Sequence, residues 1–142
     1  MIIAVGTKLS AQTDPVTGYT PRLSTRAKLW DTFRNNGLPP YAGIDDVGRA
    51  EVSGSLADNY KFKVPSLRNV AITAPYMHDG RFGSLQSVLN FYNSGVQDSE
   101  TLDPILKQNN SLGIDLSEIE KEALIAFLNT LTDETFLNDE RF

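Results

Sequence analysis

The clearest periodicity in the chain lies near its end, where Ile119, Ala123, Leu124, Phe127, Leu128 and Leu131 recur at helical spacing behind Ser117 and Glu120. A serine followed three positions later by a glutamate is a capping box, in which the two residues satisfy each other's exposed amide hydrogens at a helix start. The pattern predicts a helix from there to about Leu131, with the apolar stripe as its buried face. A second amphipathic run follows Ser84. Leu85, Val88, Leu89 and Tyr92 fall at i, i+3, i+4 and i+7, so one face is apolar and Tyr92 points with it, and Asn93-Ser94-Gly95 ends the run.

A third helix is expected from Ser24 to Asn36, with Ala27, Trp30 and Phe33 or Arg34 at helical spacing and Asn35-Asn36-Gly37 as its stop. Trp30 is most simply a core anchor there. Leu38-Pro39-Pro40-Tyr41 blocks continuation, and residues 41–62, rich in Gly and Asp, read as a long loop with a candidate small hairpin near Glu51 to Lys61. Residues 1–23 hold the turn pairs Asp14-Pro15, Thr17-Gly18 and Thr20-Pro21 and read as a poorly defined arm. The expected fold class is mostly α, with three to four helices joined by long loops. So much loop backbone needs partners for its polar groups, and a large flat cofactor would supply a surface to pack against.

Composition narrows the chemistry. The chain has 142 residues, the size of one ordinary domain, and a net charge of -5 with its basic residues scattered, which argues against a nucleic-acid partner. It has no cysteine, which excludes disulfides, thiolate metal sites and self-contained Cys-x-x-Cys-His haem attachment. Met1 to Gly6 is a short apolar run without a basic flank and does not read as an intact secretory signal. Two explanations stay open: a cytoplasmic protein, or a chain that begins inside a longer exported one. No stretch approaches the roughly 18 apolar residues of a membrane span.

The densest motif runs Phe62-Lys63-Val64-Pro65-Ser66-Leu67-Arg68-Asn69-Val70-Ala71-Ile72-Thr73-Ala74-Pro75-Tyr76-Met77-His78-Asp79-Gly80-Arg81-Phe82. It continues through Ser84 to Asn93, Leu102-Asp103-Pro104 and Phe127 to Thr132, preceded by Asn35-Asn36-Gly37-Leu38-Pro39 and Asp46-Val47-Gly48-Arg49. Over residues 33–132 this closely resembles the C-terminal haem domain of the bacterial di-haem cytochrome c peroxidases and their methylamine-utilisation relatives. Residues 1–30 do not resemble the haem-attachment helix that comes before it in that family. The resemblance implies a partial cytochrome-c-like haem domain over residues 24–132, followed by an acidic tail at 133–142.

The resemblance also implies roles for individual residues. His78, the only histidine, would line the haem pocket; as a plain sequence feature it is a loop histidine bonded to Asp79 or to backbone. Tyr92, fourteen positions later, stands where peroxidase members carry an axial methionine and the methylamine-utilisation relatives a tyrosine, so it is the candidate iron ligand. A phenolate would favour oxidised iron. The simpler alternative is a core tyrosine with its hydroxyl satisfied. Met77 could ligate iron through its thioether, although packing is favoured. Arg68 and Arg81 could pair with haem propionates or form surface ion pairs. Thr73 and Pro75 match positions whose backbone carbonyls bind calcium in the family. The acidic residues Glu118, Glu120, Glu122, Asp133, Glu134, Asp139 and Glu140 read as a solvated face, with a steering role toward a basic donor as the alternative.

The function implied is the electron-transfer and haem-pocket part of a periplasmic oxidoreductase that reduces hydrogen peroxide, with haem c and calcium as cofactors. Its expected partners are a missing N-terminal haem domain or separate haem subunit, and a small donor cytochrome or cupredoxin. Two alternatives stand beside it: a haem-free module that docks on a cytochrome-like subunit, and an inactive truncated product. Whether the isolated chain is an enzyme stays open.

Overall fold

The computed structural model describes residues 33–41, 43, 45–108 and 111–141. The expected arm, and most of the first expected helix including Trp30, fall outside these residues. The described end of that helix is not helical. Phe33–Arg34 form strand β1, paired antiparallel with strand β2 at Phe62–Lys63, with Phe33 opposite Lys63 and Arg34 opposite Phe62. A pairing partner distant in sequence outweighs the weak helical spacing. Asn35-Asn36-Gly37, expected as the stop of that helix, follows a strand instead and closes through its own side chain. The Asn35 carboxamide oxygen accepts the Gly37 amide hydrogen at 2.8 Å, and Gly37 takes φ +72°.

The hairpin expected near Glu51 to Lys61 does not form. That stretch instead holds a short helix α1, Ala50–Ser53, closed by Gly54 with φ +67°, and a 3₁₀ turn at Leu56–Asp58. Gly48 and Lys61 meet as a parallel bridge. A hairpin absent from the sequence expectation appears later, with β3 at Lys107–Gln108 paired to β4 at Ser111–Leu112.

Helix α2, Leu85–Ser94, starts where Ser84 accepts the Ser87 amide hydrogen and buries Leu85, Val88, Leu89, Phe91 and Tyr92. Each such side chain taken out of water contributes about 1.5–3 kcal/mol. Helix α3, Glu118–Asn129, begins with the full Ser117/Glu120 capping box. Its buried residues are Leu128 and, unexpectedly, Lys121, whose ammonium donates to Asn90 Oδ1 at 3.0 Å and Glu118 Oε1 at 2.8 Å. The expected inward stripe is corrected here: Ile119, Ala123 and Phe127 face water. α2 already fills the inner side through Leu128 and the Lys121–Asn90 contact, so the remainder of a broad stripe is left outside. A short helix α4, Glu134–Leu137, follows Asp133, whose side chain caps it.

Among the described residues the architecture is thus mostly helical with long loops and two small strand pairs. Its core gathers Leu38, Val70, Tyr76, Met77, Val88 and Tyr92 together with Leu102 and Leu128. The C-terminal end of α2 is locked by the hairpin, since Ile114 N–H donates to the Tyr92 carbonyl at 2.8 Å. Gly113 has φ +86°, and a Cβ there would strike that same carbonyl. Gly113→Ala is therefore expected to destabilise the fold by about 2 kcal/mol or more, through a strained φ and the displaced Tyr92 carbonyl. Urea unfolding measures this, and an unchanged midpoint would contradict the packing described.

Candidate functional site

The Ala74–Pro75 peptide is cis and leads into a closed loop in which Tyr76 N–H donates to Phe82 O at 2.7 Å. Val70 O, in the preceding 3₁₀ turn, accepts the Tyr76 hydroxyl at 3.0 Å, which anchors the loop base to the core. Within the loop Met77 has φ +75° and Gly80 φ +71°. The chain reverses over four residues, so Met77 turns into the core while His78 and Asp79 lie along the loop flank.

Met77 and Tyr92 meet in the interior. The Asn36 side-chain amide donates to Met77 Sδ at 3.4 Å and to the Tyr92 hydroxyl oxygen at 3.5 Å, so one buried carboxamide touches both candidate ligands. Both contacts are weak, one through a poor acceptor and the other at the outer limit of hydrogen-bond length. In the sequence Asn36 appeared only in a helix stop and in the approach to the motif. Its position is set by its neighbour: the Asn35 amide donates to Ser99 Oγ at 3.0 Å and Thr101 Oγ1 at 2.9 Å, tying the turn to the loop beyond α2.

His78 stacks face to face on Phe62 with ring centroids 3.9 Å apart and planes within 9°. Phe62 had no assigned role in the sequence, and β-pairing places it under the imidazole. Burial holds the His78 pKa below its ordinary value, with Asp79 and Asp46 opposing the shift and Arg81 reinforcing it. Asp79 is half of a tight pair. Arg81 Nε donates to Asp79 Oδ2 at 2.7 Å and Arg81 Nη2 to Pro39 O at 2.7 Å, while the guanidinium lies over the Tyr41 ring at 4.8 Å. Burial pushes the Asp79 carboxyl up, but the hydrogen bonds and charge of Arg81 outweigh it, leaving the pKa low.

Arg68 belongs to another contact. Its Nε and Nη2 donate to Asp133 Oδ2 at 3.0 and 2.6 Å, and it covers the Phe136 ring at 4.4 Å, tying the motif loop to α4. Part of the acidic face is therefore committed to internal partners, Asp133 to Arg68 and Glu118 to Lys121. Thr73 is exposed, and its hydroxyl donates to Val70 O at 3.3 Å. The two carbonyls of Thr73 and Pro75 are far short of the 6–8 oxygens a calcium ion takes. Among the described residues no cluster of three His, Cys, Asp or Glu side chains is placed to hold a metal.

The donor chemistry suits haem, with a phenol, a thioether, an imidazole and two guanidiniums, but among the described residues the packing around them does not fit a porphyrin. The crevice beside His78, lined also by Pro39, Asp46, Tyr60 and Arg81, holds about 10 Å³, and Tyr92 does not line it. Pockets for such ligands run to roughly 300–1,000 Å³. Two open clefts of about 580 and 600 Å³ lie elsewhere, one between β1 and Leu102-Asp103-Pro104 and one at Leu67, Arg68 and Thr130 to Thr135. Neither is lined by His78 or Tyr92.

Comparison with known proteins supplies the family. The chain is 39% identical over 103 residues to cytochrome-c peroxidase IdrP2 of Denitromonas iodatirespirans, a match that covers 72% of this chain and 26% of that protein. It is 40% identical over 106 residues to the methylamine utilization protein MauG of Methylorubrum extorquens, covering 73% and 28%. A crystal structure of a MauG-like protein associated with microbial copper homeostasis superposes with a TM-score of 0.61 at 39% identity, covering 78% of this chain and 37% of that one. The chain is a homologue of the cytochrome-c peroxidases and MauG proteins. No protein-family model matches the sequence. The chain spans about a quarter of the length of the curated peroxidase and MauG relatives.

With a single histidine in the chain, its ring protons report on one site. The His78 ring resonance is expected to titrate with a midpoint below 6.5, the ordinary value. Because the folded state resists protonation, stability is constant above about pH 6.5 and falls as pH drops below it. His78→Phe should flatten that slope in urea unfolding series run from pH 7.5 to about 5.5. A midpoint above the ordinary value would contradict burial as the dominant influence.

Proposed function

We propose that this chain is the haem-facing part of the C-terminal haem domain of a di-haem cytochrome c peroxidase-type oxidoreductase, and that the haem itself is carried by polypeptide beyond this segment. The observation that carries the proposal is the convergence of Met77 and Tyr92 on Asn36 inside the core, next to the loop that bears His78. A thioether and a phenol side by side offer two of the donor types that serve as axial ligands of haem iron. The absence of cysteine and the limited share of the relatives' length both agree with haem attachment supplied from elsewhere.

In this assignment the chain contributes binding and positioning. Haem c would supply the one-electron chemistry of peroxide reduction. Tyr92 is the residue that would hold the iron as its axial ligand. His78, unprotonated at neutral pH, presents an uncharged polar ring on the loop flank. Arg81 holds that loop in place through Asp79 and Pro39, and Arg68 fixes its other end against Asp133. A calcium ion at the Thr73 and Pro75 carbonyls would draw its other oxygens from the completing polypeptide. The exposed acidic residues of α3 and α4 would steer a basic donor cytochrome or cupredoxin, in the periplasm.

The closed packing around Tyr92 favours a second arrangement, in which the chain folds without haem and docks on a separate cytochrome-like subunit. Both arrangements predict that the chain alone, produced with cytochrome c maturation machinery, is colourless and does not turn over peroxide. Fusing the full chain behind the haem-attachment portion of the MauG-like relative separates them. If the chain is a covalent part of the haem domain, the fusion carries a Soret band and a pyridine haemochrome, and Tyr92→Phe shifts its visible spectrum. A folded fusion with haem but no spectral response to Tyr92→Phe favours the docking module, and a folded, colourless fusion sinks the assignment to a haem domain.

A further inference from the structure

Asn35 and Asn36 are adjacent and equally buried, each 3% exposed, yet their side chains serve different ends. Asn35 builds the turn, its carboxamide bonding the Gly37 amide hydrogen, Ser99 and Thr101. The backbone on either side is held as well, because Asn35 O accepts from the Asp103 amide and Gly37 O from the Gln97 amide, each at 3.0 Å. The turn is therefore complete without the side chain of Asn36. Among the described residues that side chain bonds nothing in the turn and donates only to Met77 Sδ and the Tyr92 hydroxyl oxygen, on two other segments. Two such weak contacts do not offset the burial of a primary amide, whereas an apolar side chain of the same shape would be neutral or stabilising there. Leucine has that shape, and asparagine stands in its place. A buried polar residue that works against stability, with no part in the local fold, belongs to function.

We propose that Asn36 is a positioning residue for Tyr92, its side-chain amide fixing where the phenol oxygen stands in the core beside the Met77 thioether. The inference rests on the functional assignment above, in which Tyr92 is the iron ligand. Of the two groups that share the amide, the phenol oxygen is the better hydrogen-bond acceptor and the thioether sulfur the weaker. The amide therefore orients Tyr92 and leaves Met77 to its packing. Residues that stand behind a metal ligand in this way typically account for about 10–100-fold in affinity or activity.

The test compares Asn36→Leu with Asn35→Leu in the full chain, alone and fused behind the haem-attachment portion of the MauG-like relative. In the isolated chain Asn35→Leu should lower Tm by roughly 4 °C or more, while Asn36→Leu should leave Tm unchanged or raise it. Met77 is the one methionine besides Met1, so its methyl resonance is a single reporter of the core, and Asn36→Leu should shift it. In the haem-bearing fusion, imidazole should displace Tyr92 at about one tenth of the concentration needed without the substitution, read from the visible spectrum. In a Tyr92→Phe background, Asn36→Leu should have no further effect, because it acts through the phenol.

If Asn36→Leu costs the isolated chain as much Tm as Asn35→Leu, Asn36 belongs to the turn and the proposal falls. An unmoved Met77 resonance also sinks it. A fusion that responds to Tyr92→Phe but binds imidazole equally with and without Asn36→Leu overturns the positioning role and leaves the functional assignment standing. An undiminished response to Asn36→Leu in the Tyr92→Phe background does the same. A folded fusion that is colourless, or whose spectrum is blind to Tyr92→Phe, overturns both the positioning role and the assignment of Tyr92 on which it rests.

Discussion

The structure depends on how one turn is held. Asn35 spends its side chain on the backbone of Gly37 and on Ser99 and Thr101, and its carbonyl accepts the Asp103 amide hydrogen at 3.0 Å. This clamps the turn to the loop that follows α2. Gly37 leaves no alternative, because a Cβ there would sit 2.7 Å from the Gln97 carbonyl oxygen. With its backbone fixed from both sides, Asn36 has its amide directed into the core, between Met77 and Tyr92. Burying a carboxamide for two weak hydrogen bonds costs more than an apolar side chain would at that point. The polar residue nevertheless places one amide against both the thioether and the phenol.

Around that point the charges divide into two groups. Arg81 and Asp79 are shielded and hydrogen-bonded, and they fix the shape of the motif loop. Arg68 and Asp133 are more exposed and join the loop to the last helix, where an ion pair in water contributes at most about 1 kcal/mol. The His78 ring stacks on Phe62, and its proton affinity follows from partial desolvation more than from either neighbouring carboxylate. A loop that the sequence presents as one motif is thus anchored at one end by the core and at the other by the surface.

The two halves of the functional argument come from different properties of the molecule. Ligand-type side chains converge, which is the chemistry expected of a homologue of the cytochrome-c peroxidases and MauG proteins. The space between them is closed, which agrees with a segment about a quarter of the length of its curated relatives.

Local chemistry made some elements legible from residues alone. Both long helices and their serine caps were readable because capping and i, i+4 packing act between near neighbours. The likeness of the Phe62 to Phe82 segment to a haem domain was readable for a related reason, being a dense run of residue types whose spacing is itself the signal. Tertiary structure decided the rest. Phe33–Arg34 became a strand because its partner lies about thirty residues away. The apolar stripe of α3 turned outward because α2 had filled the inner side. Arg68 and Arg81 were committed to Asp133 and to Asp79 by contacts that no spacing reveals, and Asn36 came to lie between Met77 and Tyr92 only when three distant segments closed together. Periodicity shows that a side chain has a face; only the packed chain fixes what that face meets.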